Sequence, residues 1–92
     1  MSAFIIMETT VRNIEARDRY TVLAEATLKD FGGIVLTAGT LTTLFGDNDF
    51  REGRVLQFPD KNSALAWFNS PSYQSLDPLR AEAIDCRFRI VG

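Results

Sequence analysis

Phe58-Pro59-Asp60-Lys61-Asn62-Ser63-Ala64-Leu65-Ala66-Trp67-Phe68-Asn69-Ser70-Pro71-Ser72-Tyr73 is the stretch that organises this chain. An apolar strand must stop at Pro59, because proline has no N–H for a ladder. Asp60 can then cap a short helix through Ala64, Leu65, Trp67 and Phe68. Ser70-Pro71 and, further on, Asp77-Pro78 both read as N-cap-then-Pro pairs, since proline at the first helical position loses no needed donor. The reading predicts short helical segments with a break near Asp77.

Working outward, Arg54-Val55-Leu56-Gln57-Phe58 is the strand before Pro59. Ile84-Asp85-Cys86-Arg87-Phe88-Arg89-Ile90 alternates without a fault and is the clearest strand, with Ile84, Cys86, Phe88 and Ile90 on one face. Upstream, Phe4-Ile5-Ile6-Met7 is a short apolar strand. Asn13 is a candidate N-cap and Glu15 an acid suited to a first helical turn. Tyr20, Leu23, Ala24, Thr27, Leu28 and Phe31 recur at three- and four-residue steps, the stripe of a helix packed on a sheet. Gly32-Gly33 stops that helix, and Gly33 is expected at φ > 0. Ile34 to Phe45 reads as a long second strand in which Gly39 marks a bulge or a close backbone approach. Gly46-Asp47-Asn48-Asp49 is turn chemistry.

The order βαββαβ fits an α+β, ferredoxin-like fold: one antiparallel four-stranded sheet with helices on one face, built from two right-handed split βαβ units. The other face of the sheet then needs cover. Met7, Val55 and the long second strand are expected to leave apolar surface there, and a face-to-face homodimer would remove it.

Composition excludes several functions. The 92 residues suffice for one domain, 1–92, with a thin core. The formal net charge is −2 and the ten Lys and Arg are dispersed, so no basic stripe offers itself to nucleic acid. No apolar run nears the length of a membrane span. Met1 to Glu8 has no basic n-region and is not expected to be a signal peptide. There is no His, and one Cys. Ser-His and Cys-His nucleophiles, His-ligated metals and thiolate clusters are thereby excluded, and no metal or cofactor is expected. The lone Cys86 cannot form an internal disulfide and suits a reducing cytoplasm; on the apolar face of its strand it reads as an inert buried thiol. Asp47-Asn48-Asp49 begins like a calcium loop, but Arg51 and Glu52 occupy positions that such a loop needs for a ligand and a glycine.

Tyr20, Arg54, Trp67, Tyr73 and Arg80 make the candidate site. Aromatic walls with a few polar groups suit a small planar or carboxylate ligand. Tyr73 would be the proton-handling or hydrogen-bonding group and so the catalytic candidate. Trp67 would stack, Arg54 or Arg80 would hold an anion, and Tyr20 would close one side. The alternative is that Trp67 and Tyr20 are core and that Arg80 pairs with an acid such as Glu82 or Asp85.

Taken together, Tyr20, Phe31-Gly32-Gly33, Gly39, Gly46-Asp47, Arg54, Phe58-Pro59, Ala64, Trp67, Ser70-Pro71-Ser72-Tyr73, Arg80 and the closing strand resemble domain-of-unknown-function family 1330 (DUF1330), in the dimeric α/β-barrel superfamily. Ala38 stands where that family usually has a basic residue. The resemblance implies a homodimer whose two sheets form a barrel, with a cleft between sheet and helices in each subunit. The wider superfamily includes cofactor-independent monooxygenases and isomerases, haem-handling enzymes and proteins of no known activity. Two functional readings follow: a dimer that binds a small aromatic or carboxylate compound, with or without cofactor-independent chemistry on it; or a non-catalytic dimeric module.

Overall fold

Pro59 ends its strand and Asp60 starts the next helix, as the sequence predicts. Asp60 Oδ1 accepts from the Ser63 amide at 2.7 Å and opens a helix over Lys61–Phe68. A computed structural model describes all residues, 1–92. Its elements are β1 (Ala3–Val11), α1 (Ile14–Leu28, continued by one 3₁₀ turn, Lys29–Phe31), β2 (Ile34–Thr40), β3 (Glu52–Phe58), α2 (Lys61–Phe68), α3 (Pro71–Gln74), α4 (Asp77–Ala83) and β4 (Ile84–Val91). The four strands form one antiparallel sheet in the order β2-β3-β1-β4. That is the ferredoxin-like βαββαβ arrangement.

Register assigns the two faces. Met7 pairs with both Arg54 and Phe88, and Ile5 with both Leu56 and Ile90. The helix-side face therefore carries Ala3, Ile5, Met7, Leu56, Phe58 and Ile84, all buried. Period-2 alternation puts Phe4, Ile6, Val55 and Val91 on the opposite, open face. Met7 is thus a core residue and not part of the uncovered surface. Phe58, Trp67, Tyr73 and Ile5 are the largest fully buried side chains, and they fill the space between sheet and helices. Trp67 lies 4.2 Å from Tyr73 and 5.6 Å from Phe58, centroid to centroid, both within the range of favourable aromatic pairing.

Helix starts are chemically defined. Asn13 caps α1 by accepting from the Ala16 amide at 2.9 Å, and Ser70 caps α3 by accepting from Tyr73 N at 3.2 Å. Asp77 departs from the expected pattern. The cap of α4 is Leu76, without a side-chain bond, and Asp77 is the first helical residue, its carboxylate turned to Arg80. The buried stripe of α1 is Ala16, Tyr20, Ala24 and Leu28, a strict four-residue step, and Leu23 is exposed. The buried row is narrow, and the closest backbone neighbour of α1 is α4.

The second strand is shorter than its β-branched run suggests. It ends at Thr40, and Leu44 and Phe45 stand almost fully exposed in the connection to β3. The bulge falls between Val35 and Thr37, whereas Gly39 pairs regularly with Gly53. β2 is exposed along its whole length, its helix-side residues included. No helix crosses over this edge of the sheet, and the opening that results is where the candidate site lies.

The glycine pair after α1 divides its work differently from the expectation. Gly32 takes the left-handed conformation, φ 71°, and Gly33 does not. Gly33 is needed for space instead: a Cβ there would lie 2.6 Å from the Phe58 ring and 3.0 Å from Leu28. At Gly39 a Cβ would meet nothing within 4 Å, so the expected close approach is absent. Gly33→Ala should therefore destabilise the fold by about 1–3 kcal/mol through overpacking, read as a fall in urea midpoint at constant m-value. Gly39→Ala should stay within about 0.5 kcal/mol of the parent. Equal losses at the two positions would contradict this assignment.

Candidate functional site

The cleft opens where α1 leaves the β2 edge uncovered. It encloses about 280 Å³ between Arg17, Tyr20 and Thr21 of α1, Met7 and Thr9 of β1, Ile84 at the start of β4, and the β2–β3 pair from Ala38 to Thr40 and Glu52 to Arg54. A smaller recess of about 30 Å³ continues beneath α1 towards Trp67, sharing Met7, Tyr20, Thr21 and Arg54. The rim is polar and charged. The deep end is aromatic and aliphatic.

Two ion pairs of opposite polarity brace α1 against β3 along this cleft. Arg17 of α1 donates to Glu52 of β3 at 3.1 Å, and Arg54 of β3 donates to Glu25 of α1 at 2.5 Å. Both arginine side chains keep somewhat over a quarter of their surface accessible, so each pair adds roughly 0–1 kcal/mol to stability. Their donors differ in availability. Arg17 also donates to Asp18 through Nε. Arg54 commits only one of its five N–H groups to a protein acceptor and is the better placed of the two to receive an anion. Its cross-strand neighbour is Ala38, whose small side chain leaves that wall open.

Behind the cleft lies a buried hydrogen-bonded relay. The hydroxyls of Tyr20 and Tyr73 are 2.5 Å apart, and Arg80 Nη1 donates to the Tyr73 hydroxyl at 3.1 Å. Arg80 Nη2 is held by Asp77, and the guanidinium lies 5.6 Å from the Tyr73 ring centroid and 5.7 Å from that of Phe88. Tyr73 is 0% exposed, Trp67 1% and Tyr20 3%. Trp67 Nε1 is satisfied by Thr27 Oγ1 at 2.8 Å, which itself donates to the Ala24 carbonyl. Burial pushes the Tyr20 phenol far above its ordinary range, and its proximity to Tyr73 pushes it further. Burial also raises Tyr73, although its hydrogen bonds with Tyr20 and Arg80 oppose that rise. Both phenols are held in the protonated form, suited to donating hydrogen bonds and unsuited to removing protons. Desolvation likewise raises the half-buried Cys86 thiol, which keeps it out of the reactive thiolate form.

The five residues singled out from the sequence thus fall into two groups. Tyr20 and Arg54 line both the cleft and its recess, and Trp67 lines the recess. Tyr73 and Arg80 line neither; they connect to the cleft only through Tyr20, by way of its hydrogen bond with Tyr73. Arg80 pairs with Asp77, while Asp85 is taken by Arg12 at 2.7 Å. Arg17, Glu52 and Glu25 were not singled out from the sequence. The available signal was their spacing: Arg17 and Glu25 lie eight residues apart, a little over two helical turns, so both share one side of α1.

Comparisons with known proteins agree with this architecture. The family described as "Domain of unknown function (DUF1330)" matches residues 2–92. The chain belongs to DUF1330. No functionally curated protein matches this DUF1330 member. Among solved structures it is similar to a protein of unknown function from Rhodopseudomonas palustris, with 17% identity, a TM-score of 0.79 and coverage of 98% of this chain and 80% of the other. It is also similar to SnoaB, a cofactor-independent oxygenase from Streptomyces nogalater, with 10% identity, a TM-score of 0.72 and coverage of 99% and 91%. A dimeric ferredoxin-like protein of unknown function from Thermobifida fusca matches at 12% identity and a TM-score of 0.66, covering 100% and 91%. At these identities the likeness is one of fold.

Two measurements follow from the relay. Tyr73→Phe removes the group that receives Arg80 and meets Tyr20, and should cost about 1–3 kcal/mol in chemical denaturation. The phenols also set a pH limit. Folded-state values above the ordinary 10.0 mean that the unfolded chain loses these protons first, so their contribution is complete below pH 10 and is lost as pH rises beyond it. The chain has only two tyrosines. Absorbance at 295 nm should therefore show tyrosinate appearing together with alkaline unfolding; a phenol titrating near pH 10 in the folded protein would contradict the burial argument.

Proposed function

We propose that this DUF1330 protein is a homodimer that binds a small aromatic or carboxylate molecule in the cleft beneath α1. The observation that carries this reading is the cleft itself: about 280 Å³, with Arg54 at its rim and Tyr20 reaching its deep end. That volume lies at the small end of ligand sites and suits a single-ring compound. Arg54 supplies a forked cation for an acidic group. Tyr20, Met7 and Ile84 supply an apolar and aromatic wall. Arg80, behind the relay, acts on the ligand only through the phenols. Tyr73, kept protonated, fits a hydrogen-bonding role better than that of a base.

Dimerisation is the second half of the proposal. Phe4, Ile6, Val55 and Val91 form an apolar strip on the open face of the sheet, with Val91 57% exposed. The Glu8–Arg87 pair crosses the same face at 2.7 Å, and Arg87 lies over the Phe50 ring at 5.1 Å. Burying such a strip against a second copy, with more than roughly 1,200 Å² removed from solvent in total, would give a stable interface. No helix is long and apolar enough to cross a membrane, and we assign the protein to the cytoplasm, where its lone Cys86 would stay reduced.

Cofactor-independent oxygenation, by analogy with SnoaB, is the chemistry we carry forward for such a ligand, with isomerisation beside it from the resemblance to the wider superfamily. The opposing reading, a non-catalytic module, is favoured by the burial of Tyr20, Trp67 and Tyr73 and by the ion pairs that already engage Arg17 and Arg54. A thermal-shift panel of single-ring carboxylates separates the two. A ligand present at ten times its Kd stabilises by about 1.4 kcal/mol, or several degrees, and Arg54→Met should remove the shift. A flat panel would favour the module. Light scattering at micromolar concentration should give twice the 10.3 kDa chain mass; a monomer would overturn the assembly.

A further inference from the structure

Counting hydrogens in the relay leads beyond a binding cleft to the kind of atom it receives. A phenol has one O–H to give and two lone pairs to receive with. Between Tyr20 and Tyr73 there is room for one hydrogen only, and Arg80 already fills one acceptor position on Tyr73. Neither hydroxyl has any other protein partner within bonding distance. One phenolic O–H is therefore without a protein acceptor.

Both phenols are almost wholly buried, so which one holds it follows from which ring borders the cleft. If Tyr20 donated to Tyr73, the spare hydrogen would sit on Tyr73, which is 0% exposed and lines neither the cleft nor its recess. An unpaired donor there would carry its full desolvation cost. If Tyr73 donates to Tyr20, the spare hydrogen belongs to the one phenol that lines the cleft. The chain of donation then has a single direction, Arg80 to Tyr73 to Tyr20, and it starts from a permanent cation. Each donor in such a chain polarises the next.

We infer that Tyr20 is a specificity-determining donor, directed by Tyr73 and Arg80, that selects cleft ligands carrying an anionic or carbonyl oxygen. The inference rests on the cleft being a binding site. It adds that the deep end of the cleft recognises an oxygen acceptor, separately from the cation at Arg54. Tyr73 and Arg80 are positioning residues: they fix which way the Tyr20 hydrogen is given without touching the ligand.

The test uses the full chain labelled with ¹³C at the tyrosine Cζ, which gives two signals assigned by Tyr20→Phe and Tyr73→Phe. Benzoate is titrated as the acceptor probe and benzylamine as a ring of similar size without an acceptor oxygen. The expected result is a saturable shift of the Tyr20 signal with benzoate and none with benzylamine. Tyr73→Phe and Arg80→Gln should each weaken benzoate binding about five- to tenfold, and Arg80→Lys, which keeps a cationic donor, should restore part of it. Should Tyr73→Phe fail to fold, the two Arg80 variants and the parent titration still decide. Benzoate that binds, by thermal shift, without moving the Tyr20 signal would overturn the inference while leaving the cleft as a binding site. Absence of any saturable benzoate response, in either the signals or the melting temperature, would overturn both.

Discussion

The contact between the Tyr20 and Tyr73 hydroxyls joins parts of the chain that are 53 residues apart and lie on different elements. Much of the rest depends on it. Tyr20 is the third residue from the C-terminal side of the narrow buried stripe of α1, and Tyr73 is the single buried side chain of the four-residue helix α3. A helix that short has no stability of its own. Its position is fixed by the Ser70 cap, by stacking of Tyr73 against Trp67, and by the shared hydrogen bond to α1. Two buried hydroxyls could be a liability in so small a core. Paired with each other, and backed by a guanidinium that Asp77 steadies, they become a way of specifying where the helical layer sits.

The cleft is a consequence of the same placement. With α1 held in place by its packing on α4 and by Tyr20, the β2 edge is left without a helical cover. The opening is then bordered by whatever side chains β3 and α1 present there, and those are the crossed pairs Arg17–Glu52 and Arg54–Glu25. In this way one geometric constraint produces a cavity, a charged rim and a protonated phenol at its deep end. None of this depends on a histidine, a metal-binding cluster or a reactive thiol.

The sequence made the element order legible because its punctuation is chemical. Pro59, the Asp60, Ser70 and Asn13 caps, and the alternation from Ile84 to Ile90 each act locally, and each reappears in the structure. What misled were features decided by tertiary context. The β-branched run beyond Thr40 has strand propensity, but no neighbouring strand pairs with it, so it forms a loop. Asp77 resembles a cap, yet the nearby guanidinium of Arg80 is the stronger partner for its carboxylate. Gly33 and Gly39 look alike in sequence, and only packing shows that one faces the Phe58 ring and the other open space. Of the site, the sequence identified residue types suited to a ligand. It could not show that Tyr73 and Arg80 stand behind Tyr20, because that order depends on how three helices stack. Nor could it pair Arg17 with Glu52, 35 residues apart.

A double-mutant cycle on Tyr20→Phe and Tyr73→Phe tests the central claim most directly, because it isolates the interaction between the two hydroxyls from the packing of either ring. Chemical denaturation of the parent, the two single variants and the double variant should give a coupling energy of about 1 kcal/mol or more, as expected for groups that share a buried hydrogen bond. A coupling within about 0.3 kcal/mol of zero would mean that the hydroxyls act independently, and the relay that positions α1, α3 and the cleft would have to be abandoned.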